Sequence, residues 1–204
     1  MKTKNLIVLL FAMTMGTSCW AQNECKQTEN KVIETIMQRR SIRKYKDTPV
    51  EKEKLQLIAD CGIAAPNAMN RQAWAVRIID SKDFINGSTE AMKKVNPNIT
   101  GNDKNMYRNA PAIICVAVPN GDFSYIDAGL MGENMMLAAQ SLGLGTCCLG
   151  GVAMQLNTRP ELTDYLVRLK LPNDYKIAYV LAVGYPDEQP QAKQRDKSKI
   201  MFVE

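Results

Sequence analysis

The chain has 204 residues, of which 46% are hydrophobic, 23% charged and 6% aromatic, and none is histidine. This composition is typical of a folded globular domain and argues against a disordered chain, a collagen-like repeat or a protein with several membrane spans. Without histidine, the chain alone cannot build a Ser-His-Asp triad, a Cys-His pair or a zinc site with imidazole ligands.

The first 21 residues have the pattern of a cleaved export signal. Two lysines precede an apolar run over residues 6–13, and small and polar residues follow up to Ala21. The apolar run is too short to span a bilayer. We therefore expect residues 1–21 to be a signal peptide and the protein to be exported, to the periplasm or the cell envelope. A buried N-terminal helix is the alternative, and it would leave the protein in the cytoplasm.

A second kind of processing is open in the same segment. Cleavage before Cys19 would leave a lipid on its sulfur, although Gly16 is a poor residue three positions upstream. Removal of residues 1–21 takes away two lysines and no acids, so the formal net charge falls from +5 to about +3. A charge that small does not indicate a nucleic-acid partner. Residues 22–204 are expected to form a single domain, because no repeat or linker marks a boundary.

Hydrophobic spacing predicts the helices. Apolar residues at helical intervals predict an amphipathic helix over residues 29–38 and a second helix that opens at Thr48-Pro49 and stops before Pro66. Residues 81–110 contain a weaker helix and a polar loop over residues 96–105.

The strand patterns are of two kinds. Residues 74–80 alternate like a strand with one buried face. Residues 112–118 and 177–183 are continuous apolar runs rich in β-branched side chains, which indicates central strands covered on both faces.

Between the two central strands, the pattern over residues 125–142 predicts a helix that is apolar around most of its circumference. Such a helix must be buried on nearly all sides. The simplest cover for it is a second copy of the chain, so we expect an obligate homodimer. A central helix within a monomer is the alternative.

Residues 39–43 read RRSIR, so that three guanidinium groups and a hydroxyl lie within five residues. Arginine donors in a planar fork suit phosphate and polarised carbonyl oxygens. Basic residues at a helix C-terminus also satisfy the helix dipole while they stay in water. The segment by itself leaves both interpretations open.

Two further segments are rich in amides and in glycine. Residues 65–74 read APNAMNRQAW, and Asn and Gln side chains offer the donor and the acceptor that the edge of a flat heterocycle requires, although loops also use Asn for their turns. Residues 143–151 read GLGTCCLGG, where glycine would let the backbone approach a ligand closely. This segment follows a helix and is not expected to open one. A helix C-cap at Gly143 before a short strand is the structural alternative.

In combination, these segments resemble the FMN-dependent nitroreductase family. The shared order is RRSIRKY, APNAMNRQAW, an apolar helix with Glu133-Asn134, GLGTCCLGG, and Gly184-Tyr185-Pro186 followed by Lys193 and Arg195. The resemblance covers about residues 29–196. It implies a three-layer α/β/α fold of the α+β class, with a mixed, mainly antiparallel sheet. It also implies an intertwined homodimer with two FMN sites at the interface.

The resemblance also implies which residues bind the cofactor. It places Arg39, Arg40, Ser41 and Arg43 at the phosphate, the ribityl chain and the pyrimidine edge of FMN. It implies that five residues of the partner subunit approach the flavin: Asn67, Ala68, Met69, Asn70 and Gln72. It implies that three residues lie beside the isoalloxazine, with a backbone N–H near N5: Leu149, Gly150 and Gly151. It implies that two residues of the tail bind the phosphate: Lys193 and Arg195. The chain departs from the family at Ala73, usually Pro, and at Asn67, usually Ser.

The implied function is that of an NAD(P)H-dependent FMN oxidoreductase of the nitroreductase type. NADH or NADPH would deliver hydride to the flavin, leave, and be replaced by a small electron-poor acceptor such as a nitroaromatic, a quinone or another flavin. This ping-pong scheme needs no acid or base from the protein, so neither a catalytic side chain nor a metal is expected. The absence of histidine agrees with it.

Two alternatives share the same residues. One is an exported flavin-binding protein without NAD(P)H turnover. The other is a different reaction on the same scaffold, such as reductive dehalogenation or flavin breakdown. NAD(P)H is an intracellular metabolite whereas the signal predicts export, so the sequence leaves the electron donor open along with the acceptor.

The cysteines give no disulfide framework. Five would remain after cleavage before Gln22, an odd number without a CxxC motif. Each fits the pattern of a small buried hydrophobe. Vicinal Cys147 and Cys148 offer a redox switch near the flavin as the alternative to two buried thiols.

Overall fold

A computed structural model of the chain describes residues 30–96 and 105–204. The predicted signal segment, Cys19 and most of the predicted polar loop lie outside these residues. No helix in the described ranges is both long and apolar enough to cross a membrane.

Helices and strands alternate along most of the described chain. The helices are α1 (Lys31–Gln38), α2 (Lys52–Ile63), α3 (Lys82–Lys93), α4 (Ser124–Ser141), α5 (Gly150–Thr158) and α6 (Thr163–Arg168). The strands are β1 (Ala75–Ile79), β2 (Ala112–Pro119), β3 (Gly145–Cys148) and β4 (Tyr175–Gly184). Short 3-10 turns occur at Ala68–Asn70, Pro160–Leu162 and Lys197–Lys199.

The four strands form one sheet in the order β1-β2-β4-β3, and every neighbouring pair is antiparallel. A parallel bridge joins Ser41 to Thr146 at the β3 edge. The two strands with continuous apolar runs occupy the centre of the sheet, as predicted, because their residues are buried from both sides.

Helices cover both faces of this sheet. Along β2, Ile113 and Cys115 belong to the core on the side of α3 and α5, whereas Ile114 and Val116 belong to the core on the side of α2 and α4. This alternation is the two-residue period of a strand. The predicted three-layer α+β fold with a mainly antiparallel sheet is confirmed.

The predicted start of α2 was wrong by one turn. The helix begins at Lys52, after Glu51 with φ −62° and ψ 137°, and not at Thr48-Pro49. Val50 is buried in the core on the α2 side of the sheet. Burial of that side chain keeps the chain extended through this position, which the helical spacing alone did not reveal.

Helix α4 is covered on one side only by the described residues. Ala128, Met131 and Met135 are buried against the sheet and α2. On its other side, Ile126 is 59% exposed and Leu130 is 43% exposed. Helix α1 also leaves its apolar face open, since none of its residues is buried.

Candidate functional site

A basic cavity of about 440 Å³ lies between the end of α1 and the C-terminal tail. It is lined by Met37, Arg39, Arg40, Ser41, Arg43, Pro190, Gln191, Ala192, Lys193 and Arg195. Six of the predicted cofactor-binding residues therefore meet here, although they come from segments about 150 residues apart. Five of the ten lining residues are cationic and none is acidic. Such a set of donors suits a doubly charged phosphate.

The basic segment is held against the sheet edge. The N–H of Arg39 still donates to Thr35 of α1, at 3.0 Å, and the N–H of Ile42 donates to the carbonyl of Thr146 in β3, at 2.9 Å. A Cβ on Gly145 would lie 2.6 Å from Cγ1 of Ile42. The glycine therefore lets the basic segment run close beside β3.

The three arginines of this segment have different partners. Nη1 of Arg43 donates to the carbonyl of Ser41, at 3.2 Å. Nη1 of Arg40 donates to the carbonyls of Met37 and Arg39, at 2.7 and 2.8 Å. Arg40 thus caps the C-terminus of α1, the structural role that the sequence left open, while it also lines the cavity. Nε of Arg39 donates to Oε1 of Glu133 in α4, at 3.1 Å.

Main-chain hydrogen bonds bring the tail to the same place. The N–H of Lys46 donates to the carbonyl of Tyr185, and that of Asp187 to the carbonyl of Lys44, both at 2.9 Å. The carboxylate of Glu188 accepts from the N–H groups of Arg43 and Lys44. Sequence reasoning missed Glu188, since a pair of acids in a polar segment before a basic tail gives no local signal.

The amide-rich loop over residues 67–72 lies outside the lining of the basic cavity. Three of its residues have left-handed backbone: Met69 (φ 54°), Asn70 (φ 50°) and Gln72 (φ 51°). None of them is glycine, so this conformation costs free energy and needs support from its surroundings. Its approach to a flavin in the partner subunit stays a prediction.

Two side chains support this strained loop. Oδ1 of Asn67 accepts from the N–H of Gln72, at 2.9 Å, so Asn67 has the turn-forming role that the sequence left open. The carboxylate of Asp127, in the first turn of α4, accepts from the N–H of Ala68 at 3.1 and 3.2 Å. Asp127 was not among the predicted site residues. Its signal was weak, because an acid in the first turn of a helix is common.

The glycine-rich segment ends one helix and opens the next. Gly143, with φ 74°, follows α4, and the N–H of Leu149 then donates to the carbonyl of Val180 at 2.8 Å. Helix α5 begins directly afterwards at Gly150, so the expectation that the segment opens no helix was wrong.

The open space around this helix start is informative. A Cβ on Gly150 or Gly151 would meet nothing within 4 Å. Packing within the described chain therefore does not demand glycine at either position. The first N–H groups of a helix also lack partners inside the helix. Both features fit the predicted role of Leu149, Gly150 and Gly151 beside a flat ligand.

Four cysteines in the described ranges are free: Cys61, Cys115, Cys147 and Cys148. Cys147 is buried, whereas Cys148 is exposed, because successive strand residues point to opposite faces. The expectation of a buried thiol was therefore wrong for Cys148. Burial raises the pKa of the Cys147 thiol, and the positive charge of nearby Arg43 partly opposes that rise. Neither thiol has the lowered pKa of a reactive cysteine. No group of three or more carboxylates or cysteines in the same ranges is placed to hold a metal ion.

Comparisons with known proteins agree with this geometry. The family model for the nitroreductase family matches residues 36–185. The NADPH-flavin oxidoreductase of Vibrio harveyi is 29% identical over 192 residues, which cover 86% of this chain and 74% of that protein. The FMN reductase (NADPH) of Bacillus subtilis is 26% identical over 197 residues, with 86% and 74% covered.

Solved structures are similar as well. A nitroreductase with bound FMN from Bacteroides fragilis matches with a TM-score of 0.75 and 26% identity, over 86% of this chain and all of that chain (100%). A nitroreductase with bound FMN from Desulfitobacterium hafniense also gives a TM-score of 0.75 and 26% identity, over 86% and 99% of the two chains.

Proposed function

We propose that this chain, which belongs to the nitroreductase family, is an NAD(P)H-dependent FMN oxidoreductase that reduces small electron-poor molecules. One observation carries the proposal. Five cationic side chains and the hydroxyl of Ser41, from opposite ends of the domain, converge on one cavity. The names of the relatives support the donor and the cofactor, since they include an NADPH-flavin oxidoreductase and an FMN reductase.

The residues of the cavity fit the phosphate end of FMN. A phosphate carries close to two negative charges at neutral pH, and several Arg or Lys donors must replace its water. Arg43, Lys193 and Arg195 would supply this charge, and Ser41 would supply a hydroxyl for the phosphate or the ribityl chain. Arg39 and Arg40 would add donors from the positions that Glu133 and the end of α1 give them.

Two other groups of residues would hold the ring. The backbone of Leu149, Gly150 and Gly151 would lie along it, because open space surrounds both glycines. Asn67, Ala68, Met69, Asn70 and Gln72 of a second copy would contact it from the other side. FMN, when bound, would supply the redox chemistry, taking hydride from NAD(P)H and passing it to a nitroaromatic, a quinone or another flavin. The chain itself would bind and orient the cofactor and leave one face accessible.

An absorbance spectrum tests the cofactor and the donor. The purified protein should show flavin bands at about 370 and 450 nm, as any oxidised flavin does, and anaerobic NADH or NADPH should bleach them. A colourless protein that cannot take up added FMN would remove the proposal. Bands that persist after both nucleotides are added would rule out NAD(P)H as the electron donor.

Titration with FMN tests the cavity itself. Replacing Arg43 or Arg195 by Ala should raise the dissociation constant by about tenfold or more, since charge-assisted contacts to phosphate would be lost. Lys197 is exposed, lies in the same tail and does not line the cavity, so Lys197→Ala is the matched control. Equal affinities for all three variants would contradict the assignment.

The kinetic order is part of the proposal. Donor and acceptor would use the same face of the flavin in turn, so initial-velocity lines at several acceptor concentrations should be parallel. Intersecting lines, together with a ternary complex, would refute ping-pong order.

We also propose that the protein is a homodimer, because the described chain leaves apolar side chains on one side of α4 open to solvent. A cavity of about 480 Å³, with Val32, Cys61 and Leu137 in its lining, continues this apolar surface between α1, α2 and α4. A second copy would cover both the cavity and Leu130.

Light scattering should give the mass of a dimer, and Leu130→Asp should give a monomer. Val167 is 69% exposed on α6, and Val167→Asp should leave the dimer intact. A wild-type monomer at micromolar concentration would contradict this proposal.

Export is a third part of the proposal, and it rests on the pattern of residues 1–21. The mass of the mature N-terminus tests it. A chain that begins at Gln22 supports cleavage, an acylated Cys19 establishes a lipid anchor instead, and a chain that begins at Met1 refutes export. An exported enzyme would need a supply of reducing equivalents outside the cytoplasm.

A further inference from the structure

We propose that Glu188 is a positioning residue that fastens the C-terminal tail across the basic cavity, and that the affinity of the cavity for the FMN phosphate depends on it. This inference rests on the proposed function for its ligand. The fastening itself is a property of the chain and can be tested without FMN.

The cavity has two halves that are far apart in sequence. Residues 39–43 follow α1 directly and run beside β3. Lys193 and Arg195 lie in the tail after β4, where both residues are exposed and the backbone is neither helix nor strand. An exposed irregular segment with exposed cations does not hold its own position, because ordering it costs conformational entropy. Contacts earlier in the tail must supply the free energy that holds it.

Glu188 makes such a contact shortly before the two cations. Its Oε1 accepts from the N–H of Arg43 and, at 3.2 Å, from the N–H of Lys44. These partners lie 145 and 144 residues earlier in the chain. Arg43 itself lines the cavity, so Glu188 is fastened to the wall that faces the tail.

A short ladder precedes this contact. Tyr45 forms a bridge with Pro186, and the N–H of Asp187 donates to the carbonyl of Lys44 at 2.9 Å. These backbone hydrogen bonds join the tail to the segment after the basic residues, and the last of them in the described chain is the one from Asp187. The carboxylate of Glu188 extends the link by one residue, and a charged acceptor makes a stronger hydrogen bond than a neutral one.

The consequence for the cavity follows from tethering. When the tail is fixed at Glu188, only a few residues of chain separate this fixed point from Lys193 and Arg195. The two cations therefore stay near the cavity, and their effective concentration beside a phosphate is high. A tail released at Glu188 would have more conformations to lose when the phosphate binds. The carboxylate also offsets part of the repulsion among the five cations in the ligand-free protein.

A double-mutant cycle tests the coupling. FMN affinity is measured for the wild type, Glu188→Ala, Arg195→Ala and the double variant. We expect each single change to raise the dissociation constant about tenfold, and the double change to add no more than about twofold to either. An Arg195→Ala effect that is still tenfold in the Glu188→Ala background would overturn the coupling, because the two residues would then act independently.

Two further variants separate positioning from a general loss of stability. Glu188→Gln retains an oxygen acceptor for the two N–H groups, so it should recover most of the affinity that Glu188→Ala loses. Glu161 is an exposed glutamate in the Pro160–Leu162 turn, and Glu161→Ala should bind FMN as the wild type does. Equal losses in Glu188→Gln and Glu188→Ala would overturn the role of the hydrogen bonds.

Limited trypsin digestion tests the fastening without a cofactor. Lys193 and Arg195 are cleavage sites in the exposed tail. Glu188→Ala should be cut there several-fold faster than Glu161→Ala, since trypsin requires a locally unfolded substrate. Equal cleavage rates would overturn the fastening. If the rates differ but the wild type binds no FMN, the fastening stands and the proposed function fails.

Discussion

Nε of Arg39 lies 3.1 Å from Oε1 of Glu133, and this ion pair joins the end of α1 to the middle of α4. The two side chains are 25% and 42% exposed, so solvent screens their charges and the pair alone adds little stability. Its effect is on geometry. It fixes the guanidinium of a residue that lines the basic cavity.

Glu133→Ala should therefore weaken FMN binding by about two- to fivefold, with little change in thermal stability. Glu133→Gln keeps an oxygen that can accept from Nε and should stay within about twofold of the wild type. Fluorescence titration with FMN measures both. If both variants lose affinity equally, the charge of Glu133 matters and its hydrogen bond does not.

Asp127→Ala should destabilise the loop over residues 67–72. The carboxylate accepts from the N–H of Ala68, and the loop behind that contact holds three left-handed residues. A hydrogen bond to a charged group contributes about 1.5 to 3 kcal/mol, so we expect a loss in that range in urea unfolding. Asp127→Asn should lose less. Asp122→Ala, an exposed change just before α4, should be close to neutral, and an equal loss there would contradict the assignment.

Gly184→Ala should lower the free energy of unfolding by about 1 to 3 kcal/mol, because the added methyl would be overpacked. Its Cβ would lie 2.6 Å from Cδ of Pro111, whose ring is rigid, and 2.9 Å from Cδ1 of Tyr45, which is buried in the core. At Gly121 the added Cβ would meet only the hydroxyl of Ser124, at 2.9 Å, which can rotate away. Gly121→Ala should thus cost less than about 0.5 kcal/mol. Similar losses in both variants would contradict the packing argument.

The buried thiol of Cys115 should make the fold sensitive to alkali. Burial raises its pKa from 9.0 to about 12. The unfolded chain would lose this proton near pH 9, whereas the folded chain keeps it up to about pH 12. The unfolded state therefore binds fewer protons in this window, and stability falls by up to about 1.4 kcal/mol per pH unit.

Cys115→Ala should show a shallower fall than the wild type between pH 9 and 12, even if it is less stable at neutral pH. Urea unfolding at several pH values measures the slopes. Parallel curves for the wild type and Cys115→Ala would show that this thiol does not contribute.

Cys147 and Cys148 should not form a disulfide. They are successive residues of β3, one buried and one exposed, so their side chains lie on opposite faces of the sheet. Two sulfurs placed in this way are too far apart to bond without a change in the backbone. Thiol titration of the denatured protein should give the same number before and after reductant. A gain of two thiols that is absent in Cys148→Ser would establish the redox switch instead.

Much of the fold could be predicted because its signals are local. The apolar runs over residues 112–118 and 177–183 identify central strands, since only a strand covered on both faces can be apolar at every position. The apolar circumference of α4 predicted burial on nearly all sides, but the described residues cover only one side, and the cover of the other side stays a prediction. The start of α2 could not be predicted in this way, because the burial of Val50 depends on where α2 meets the sheet.

At the candidate site, too, some features could be predicted from local sequence and others depended on the tertiary structure. The sequence by itself determined which segments are candidates to bind the cofactor, because the order of RRSIR, the amide-rich loop, the glycine-rich segment and the basic tail is a linear pattern. Only the tertiary structure decided that Arg39 pairs with Glu133 and that Glu188 meets the N–H groups of Arg43 and Lys44. These partners are 94 to 145 residues apart. Their contact depends on strand register and helix packing, which are properties of the whole chain and not of any one segment.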